Sequence, residues 1–369
     1  MKIPTILKTS VLTLAASMLC ATTAPAQQTK LLTADKHNEY GLVYSLPNTA
    51  IDIDVTATRT VRKAGPYYKY ARKYLGTDKV VKEDSESWTI NSVTLRTRGV
   101  ADTEETYLMQ LKNGSLTYIC VDADGMLLAI NKDVPSPAET PAYNPEAGDA
   151  KSDKISMKEY LQYVDEDFIA SQSSAKQAQM LAESLMEIRD AKISLTRGTA
   201  ETMPTDGKQL ELMLNSLSHQ EAALTAAFAG LTQTEQVTRT YTVTPTKEGK
   251  SVLFRMSDFA GFVDSDDYSG DPVYFTINIV SEPQIPVDAK GTEKKLPKDA
   301  VIYNIPGTVK ATLSFLGKTL CEQEVELAQF GVKFGLNPVL FSAKKDRSFA
   351  TFDPATGALR EIGTESQAE

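Results

Sequence analysis

The chain has 369 residues, with 48 acidic and 39 basic side chains and a formal net charge of −9. That length holds about two domains with proper cores, and the acidic balance speaks against a nucleic-acid or anionic-lipid surface. Two histidines and three cysteines leave little material for a Ser-His-Asp or Cys-His arrangement, and no CxxC or HExxH suggests zinc.

The elements begin with a leader. Lys2 and Lys8 flank the start of an apolar run from Ser10 to Ala21, and Ala24-Pro25-Ala26 follows. This is the pattern of a secretory signal over residues 1–26, cleaved before Gln27. Cys20 invites a lipid-anchor reading, but Met18 and Leu19 are not the small residues that such processing needs. The expected product is periplasmic or secreted, with outer-membrane association a variant of that reading, and it has no transmembrane segment.

Residues 27–133 read as a β-rich domain. IDIDVTATRTV, WTINSVTLRTR and TYLMQLK alternate apolar and polar side chains, as half-buried strands do. Asn113-Gly114 and the turn from Asp122 to Gly125 punctuate an antiparallel meander. Within this block GPYYKYARKYLG, residues 65–76, predicts a short helix with Pro66 at its first turn and Gly76 at its stop. Residues 134–153 carry four prolines between 135 and 145 and read as an extended linker. Over 154–231 the apolar period changes. Ala178, Leu181, Leu185, Ile188 and Leu195 share one helix face, and Leu210, Leu214, Leu217, Leu224 and Phe228 share another. With Gly198, the Pro204–Gly207 turn and Gly230 as punctuation, they predict an αα-hairpin.

Residues 232–369 return to strand composition, from TRTYTVTP through SVLFRM, PVYFTINIVS, AVIYNIP, TVKATLSF and TLCEQEVEL to SFATF, with a loose end at GTESQAE. GLVYSLPNT in the first half is echoed by AVIYNIPGT in the second, and the closing turns Asp122–Gly125 and Asp353–Gly357 are echoed likewise. This implies a duplicated β unit. One feature resists the alignment. With Thr49 set on Thr308, the apolar Ile51, Ile53 and Val55 fall opposite Lys310, Thr312 and Ser314, so a bulge must intervene or the match is local. The expected fold is therefore α+β: two related antiparallel, sandwich-like β domains with an inserted αα-hairpin. Cys120 and Cys321 are expected as buried thiols, Cys321 facing inward from a strand; a bond between the halves is the alternative.

Two stretches stand out as candidate sites. In the Tyr-rich helix Tyr67, Tyr70 and Tyr74 recur at i, i+3, i+7, with Lys69, Arg72 and Lys73 pointing away. Such a surface suits a protein partner or a glycan, and packing against a sheet is the competing reading. The loop with Asp264, Asp266, Asp267 and Asp271 around Gly270 is the best metal candidate, for weak calcium. It departs from an EF-hand in its glycine position and in Phe275 where a glutamate belongs. A solvated loop is the competing reading, and no other cofactor is expected.

Taken as a set, Tyr44-Ser-Leu-Pro47, the 65–76 stretch, Ile188-Arg189 with Gly198, Phe228-Ala-Gly230, Tyr303-Asn-Ile-Pro306, Ala328-Gln-Phe-Gly331 and Phe352-Asp-Pro-Ala-Thr-Gly357 resemble a family of uncharacterised secreted Bacteroidetes proteins grouped as a domain of unknown function. The resemblance implies an envelope location in a Gram-negative bacterium and supplies no activity, cofactor or catalytic residue. The expected function is a non-enzymatic binding or assembly component of the cell envelope with a protein partner. An extracytoplasmic glycan- or small-ligand-binding protein is the alternative, and a carboxylate-based hydrolase comes third.

Overall fold

The structure, a computed structural model, describes residues 41–110, 117–136, 155–204, 206–295, 300–341 and 347–365. The leader with Cys20, His37, the Asn113-Gly114 turn and most of the Pro-rich linker lie outside the described residues. Among those described, no helix is long and apolar enough to cross a membrane.

The chain adopts the expected α+β, antiparallel, sandwich-like architecture. β1 (Gly41–Lys63) and β2 (Ser85–Gln110) form a long hairpin. β3 (Ile119–Val121) and β4 (Leu127–Ile130) form a short one. A short helix α1 (Ala71–Leu75) interrupts the first pair, and α2 (Glu166–Ala170), α3 (Ser174–Arg197) and α4 (Gly207–Ala229) follow β4. Then come β5 (Leu231–Val243), β6 (Gly249–Ser257), β7 (Gly261–Val263) and β8 (Asp271–Ser281). β9 (Val301–Phe315) and β10 (Lys318–Leu336) make a second long hairpin, and β11 (Arg347–Phe352) and β12 (Leu359–Glu365) a second short one.

The strands of the two halves share sheets: β2-β1-β5 in one, β10-β9-β8-β6-β7 in a second, and β12-β11-β4-β3 in a third. The composition changes near 133 and 232 therefore do not mark the edges of separate bodies. The first two sheets face each other as a sandwich. Ile51, Ile53, Val55 and Ala57 of β1 pack with Leu95 of β2 against Phe254, Phe262, Phe275, Val309, Leu313 and Leu327 of the opposing sheet. This is the period-two side-chain pattern put to use: odd positions of β1 go inward, while Asp52 and Asp54 face outward, paired with Arg98 and Arg96 and with the hydroxyls of Thr242 and Thr240. The third sheet closes one end around Tyr44, Met109, Ile130, Val301, Phe341 and Phe352. The helices gather at the opposite end of β1, around Tyr67, Leu181, Leu185, Leu224 and Phe228.

The echoed phrases occupy matching places. The Ser45 N–H donates to the Gly125 carbonyl at 2.9 Å and the Asn304 N–H to the Gly357 carbonyl at 3.2 Å, so each phrase passes the tip of a short hairpin as its own long hairpin begins. Both long hairpins then slip register. On β1 the partner jumps from Thr106 to Ala101 between Ser45 and Pro47; on β9 it jumps from Val332 to Leu327 between Ile305 and Gly307. Both slips skip the same number of partner residues, but β9 has one more residue between its hairpin contact and its slip. That extra residue reverses the faces. It is why Val309, Ala311 and Leu313, and not Lys310 and Thr312, join Ile51 and Ile53 in the core.

Two strand boundaries differ from expectation. AVIYNIP and TVKATLSF form one strand, β9. Gly363 to Glu365, expected to be loose, pair with β11. The hairpin turn at Leu316-Gly317 forms with both residues at positive φ, the two-residue geometry that suits twisted strands. Cys120 and Cys321 are free and half-buried, so no bond joins the halves through them. Cys321 packs on the sandwich core, and burial raises its pKa.

Candidate functional site

The Tyr-rich stretch is a strap tied to the end of α4. Where β1 ends, the Ala64 N–H and the Lys63 ammonium both donate to the Asp84 carboxylate at 2.8 Å. Gly65 then lies so close to α4 that a Cβ there would sit 2.5 Å from the Ala227 carbonyl oxygen. The Tyr67 N–H donates to that same oxygen at 2.9 Å, and the Val81 N–H donates to the Ala229 carbonyl at 2.8 Å as the strap leaves. Both ends are thus pinned to the last turn of one helix. Between them the chain makes a 3-10 turn at Tyr68–Tyr70 and then α1, which Gly76 ends at φ 65°. Instead of the expected continuous helix, a tight turn leads into a short α-helix, with Pro66 ahead of both.

The three tyrosines have different roles. Tyr67 is buried. Its ring sits about 6 Å from those of Tyr160, Phe168 and Phe228, and its hydroxyl donates to Gln177 Oε1 at 3.1 Å. Burial, with Tyr160 alongside, raises its pKa, so it stays a phenol. It is a core residue and presents no surface. Tyr70 is half-buried, its hydroxyl 3.2 Å from Ser174 Oγ. Tyr74 is half-buried on the outer flank, 6.2 Å from the Phe228 ring. Arg72 stands in solvent, its side chain 82% exposed and 3.8 Å from Asp78.

Of these four candidates, Tyr74 lines an open groove. Lys73 and Tyr74 make one wall, and Gln179, Ala182, Glu183, Met186 and Glu187 of α3 make the other, around a volume of about 590 Å³. Sequence reasoning missed the α3 wall. Its trace in the sequence is Met186, an apolar residue on the polar face of an amphipathic helix, 42% exposed between Glu183 and Glu187. The electrostatics of α3 are set by its partner. Arg189 and Lys192 turn to Glu221 of α4 at 2.8 and 2.7 Å, which lowers the Glu221 pKa through those two hydrogen bonds, Lys192 first. The middle of the exposed face of α3 is left acidic. Lys73 does not bridge to it. Its ammonium lies 4.7 Å from the centre of the Tyr74 ring and donates to the Tyr74 hydroxyl at 3.2 Å, a cation–π and hydrogen-bond pairing within the strap.

The acidic loop is organised by an arginine. Arg255 of β6 donates to the Ser265 carbonyl at 2.9 Å and the Gly270 carbonyl at 3.1 Å, and its guanidinium lies 4.4 Å from the centre of the Tyr268 ring. A fixed positive charge is thus held against the backbone of this loop. Asp267 accepts from the Ser269 N–H at 2.9 Å, as a turn aspartate does, and that bond heads the causes lowering its pKa. Asp271 belongs to β8. Among the described residues no group of three or more His, Cys, Asp and Glu side chains is arranged to hold a metal, so Asp264, Asp266, Asp267 and Asp271 do not form a ligand set. His219 pairs with Glu159. Trp88 packs edge-on to Phe262 and over Gly261, half-buried beside the sandwich core, and makes no open platform.

No curated protein and no solved structure matches the chain. One family model does, over residues 40–360, from the start of β1 into β12. The chain belongs to the family described as a domain of unknown function (DUF4831).

Proposed function

We propose that the chain is a non-enzymatic binding or assembly component of the cell envelope that grips a protein partner at the Tyr74 groove. The groove between strap and α3 carries this reading. It has two walls of packed secondary structure and is lined by an aromatic, a methionine and an alanine together with a lysine, a glutamine and two glutamates. That is the composition of an interface core with a polar rim. The strap is held at both ends by backbone hydrogen bonds to α4, so little ordering cost remains on binding. A place outside the cytoplasm is supported by the leader-like residues 1–26 and by the resemblance to secreted Bacteroidetes proteins.

Affinity capture of the tagged protein from native envelope, read by mass spectrometry, tests the reading. The expected result is one stoichiometric partner that Tyr74→Asp and Met186→Asp both release. Capture of nothing, or capture indifferent to both substitutions, would remove the groove as the site.

A further inference from the structure

The two walls of the groove have opposite sign and do not meet. From Arg62 to Lys82 the sequence carries seven basic side chains and one acidic, within a chain of net charge −9, so the strap is a local reversal of the molecule's field. Lys69, Arg72 and Lys73 are all exposed. On α3, Glu183, Glu187 and Asp190 follow one another at helical spacing on the exposed side, while Arg189 and Lys192 are held by Glu221. Among the described residues no ion pair joins the strap to these acids. Tyr74, Ala182 and Met186 line the groove together with Lys73 of the strap and Glu183 and Glu187 of α3.

A partner carrying one sign of charge would be attracted by one wall and repelled by the other. A second copy of this chain, turned about a two-fold axis, sets each basic strap on the other's acidic α3 and brings the two apolar centres together. Adjacent patches of opposite sign are self-complementary under that operation. We infer that this face is a two-fold interface between two copies of the chain, strap against α3 in both directions. The inference rests on the binding reading above and names the partner.

Sedimentation velocity of the purified protein gives the first readout: a dimer at about 0.05 M salt that shifts toward monomer at about 0.5 M, since exposed charges are screened there. Two charge-reversed proteins give the second. Lys69→Glu/Arg72→Glu/Lys73→Glu makes the strap acidic, and Glu183→Lys/Glu187→Lys/Asp190→Lys makes α3 basic. Each alone should self-associate at least about tenfold more weakly than wild type, because the altered wall meets its own sign. Mixed in equal amounts they should pair, since both contacts of the mixed dimer are again between opposite charges. Arg72→Glu and Glu187→Lys, mixed in the same way, carry the test if either triple variant fails to fold. A wild type that stays monomeric at low salt, or mixtures no more associated than their components, would overturn the inference. A monomer whose capture of an envelope protein still depends on Tyr74 would overturn it too, while leaving the binding reading in place.

Discussion

Thr49 is fully buried where the first long hairpin crosses the second, and its hydroxyl serves two backbone segments. It donates to the Ala355 carbonyl at 2.9 Å and accepts from the Ala328 N–H at 3.0 Å. The Thr49 backbone N–H and C=O are in turn satisfied at 2.9 Å by the amide of Gln329, which acts like a strand partner. Thr49→Val keeps the shape and strands both hydroxyl partners, so we expect a loss of about 2–4 kcal/mol in urea unfolding, against about 1 kcal/mol for Thr49→Ser. Gly261 makes a different demand. It sits at φ +70°, and a Cβ there would come 2.6 Å from the Trp88 ring. Gly261→Ala should cost about 2–4 kcal/mol from overpacking and left-handed strain together. Because Trp88 is the single tryptophan, its emission should shift to the red as the ring is pushed from the Phe262 edge. An unchanged emission would show that β7 moves and the indole does not.

At the scale of elements, the α3–α4 pair is held near its middle by Glu221 between Arg189 and Lys192. Since the folded carboxyl titrates below its unfolded value, its contribution is full above about pH 4.3 and disappears as the pH falls through the lower folded value. Glu221→Gln should therefore lower stability by about 0.5–1 kcal/mol near pH 7, the range of partly exposed pairs, and the gap to wild type should close on acidification. A gap that held constant down to about pH 3 would mean that Glu221 acts by packing and not by charge. The same helices show what is legible in the sequence and what is not. Both long helices and their stops, Gly198 and Gly230, follow from periodicity, because side chains one turn apart report the buried face directly. The stretch over 159–170 does not. It is a 3-10 turn and the short α2, too brief for a period, yet it supplies Tyr160 and Phe168 to the core around Tyr67. The tyrosine spacing locates the strap, but the role of each tyrosine depends on Phe228 and α3, more than a hundred positions away. The internal order of the acidic loop is hidden from the sequence for a similar reason, since Arg255 reaches it from the preceding hairpin.

At the scale of the molecule, the two matching pairs of hairpins are woven together. Each half gives one long and one short hairpin, but β1 and β2 take β5 as their third strand, and the two short hairpins meet in one sheet through β4 and β11. The crossing is tight: Asn304 Nδ2 donates to the Pro47 carbonyl at 3.1 Å and the Thr356 carbonyl at 2.9 Å, and a Cβ on Gly357 would lie 2.8 Å from Pro47 Cδ. Neither half can bury its inner face alone, since Ile51, Ile53 and Val55 are covered by strands from beyond residue 249. Unfolding should therefore be a single transition across the β region. Trp88 reports on the sandwich, Cys321 on the sandwich edge and Cys120 on the four-stranded sheet at the far end. We expect Trp88 emission and the reaction of each thiol with a small disulfide reagent to share one denaturant midpoint, compared on Cys120→Ser and Cys321→Ser backgrounds. If Cys120 became reactive well before Trp88 changed, the four-stranded sheet would be an independent unit. The interlock at Thr49, Pro47 and Asn304 would then contribute far less than its buried hydrogen bonds imply.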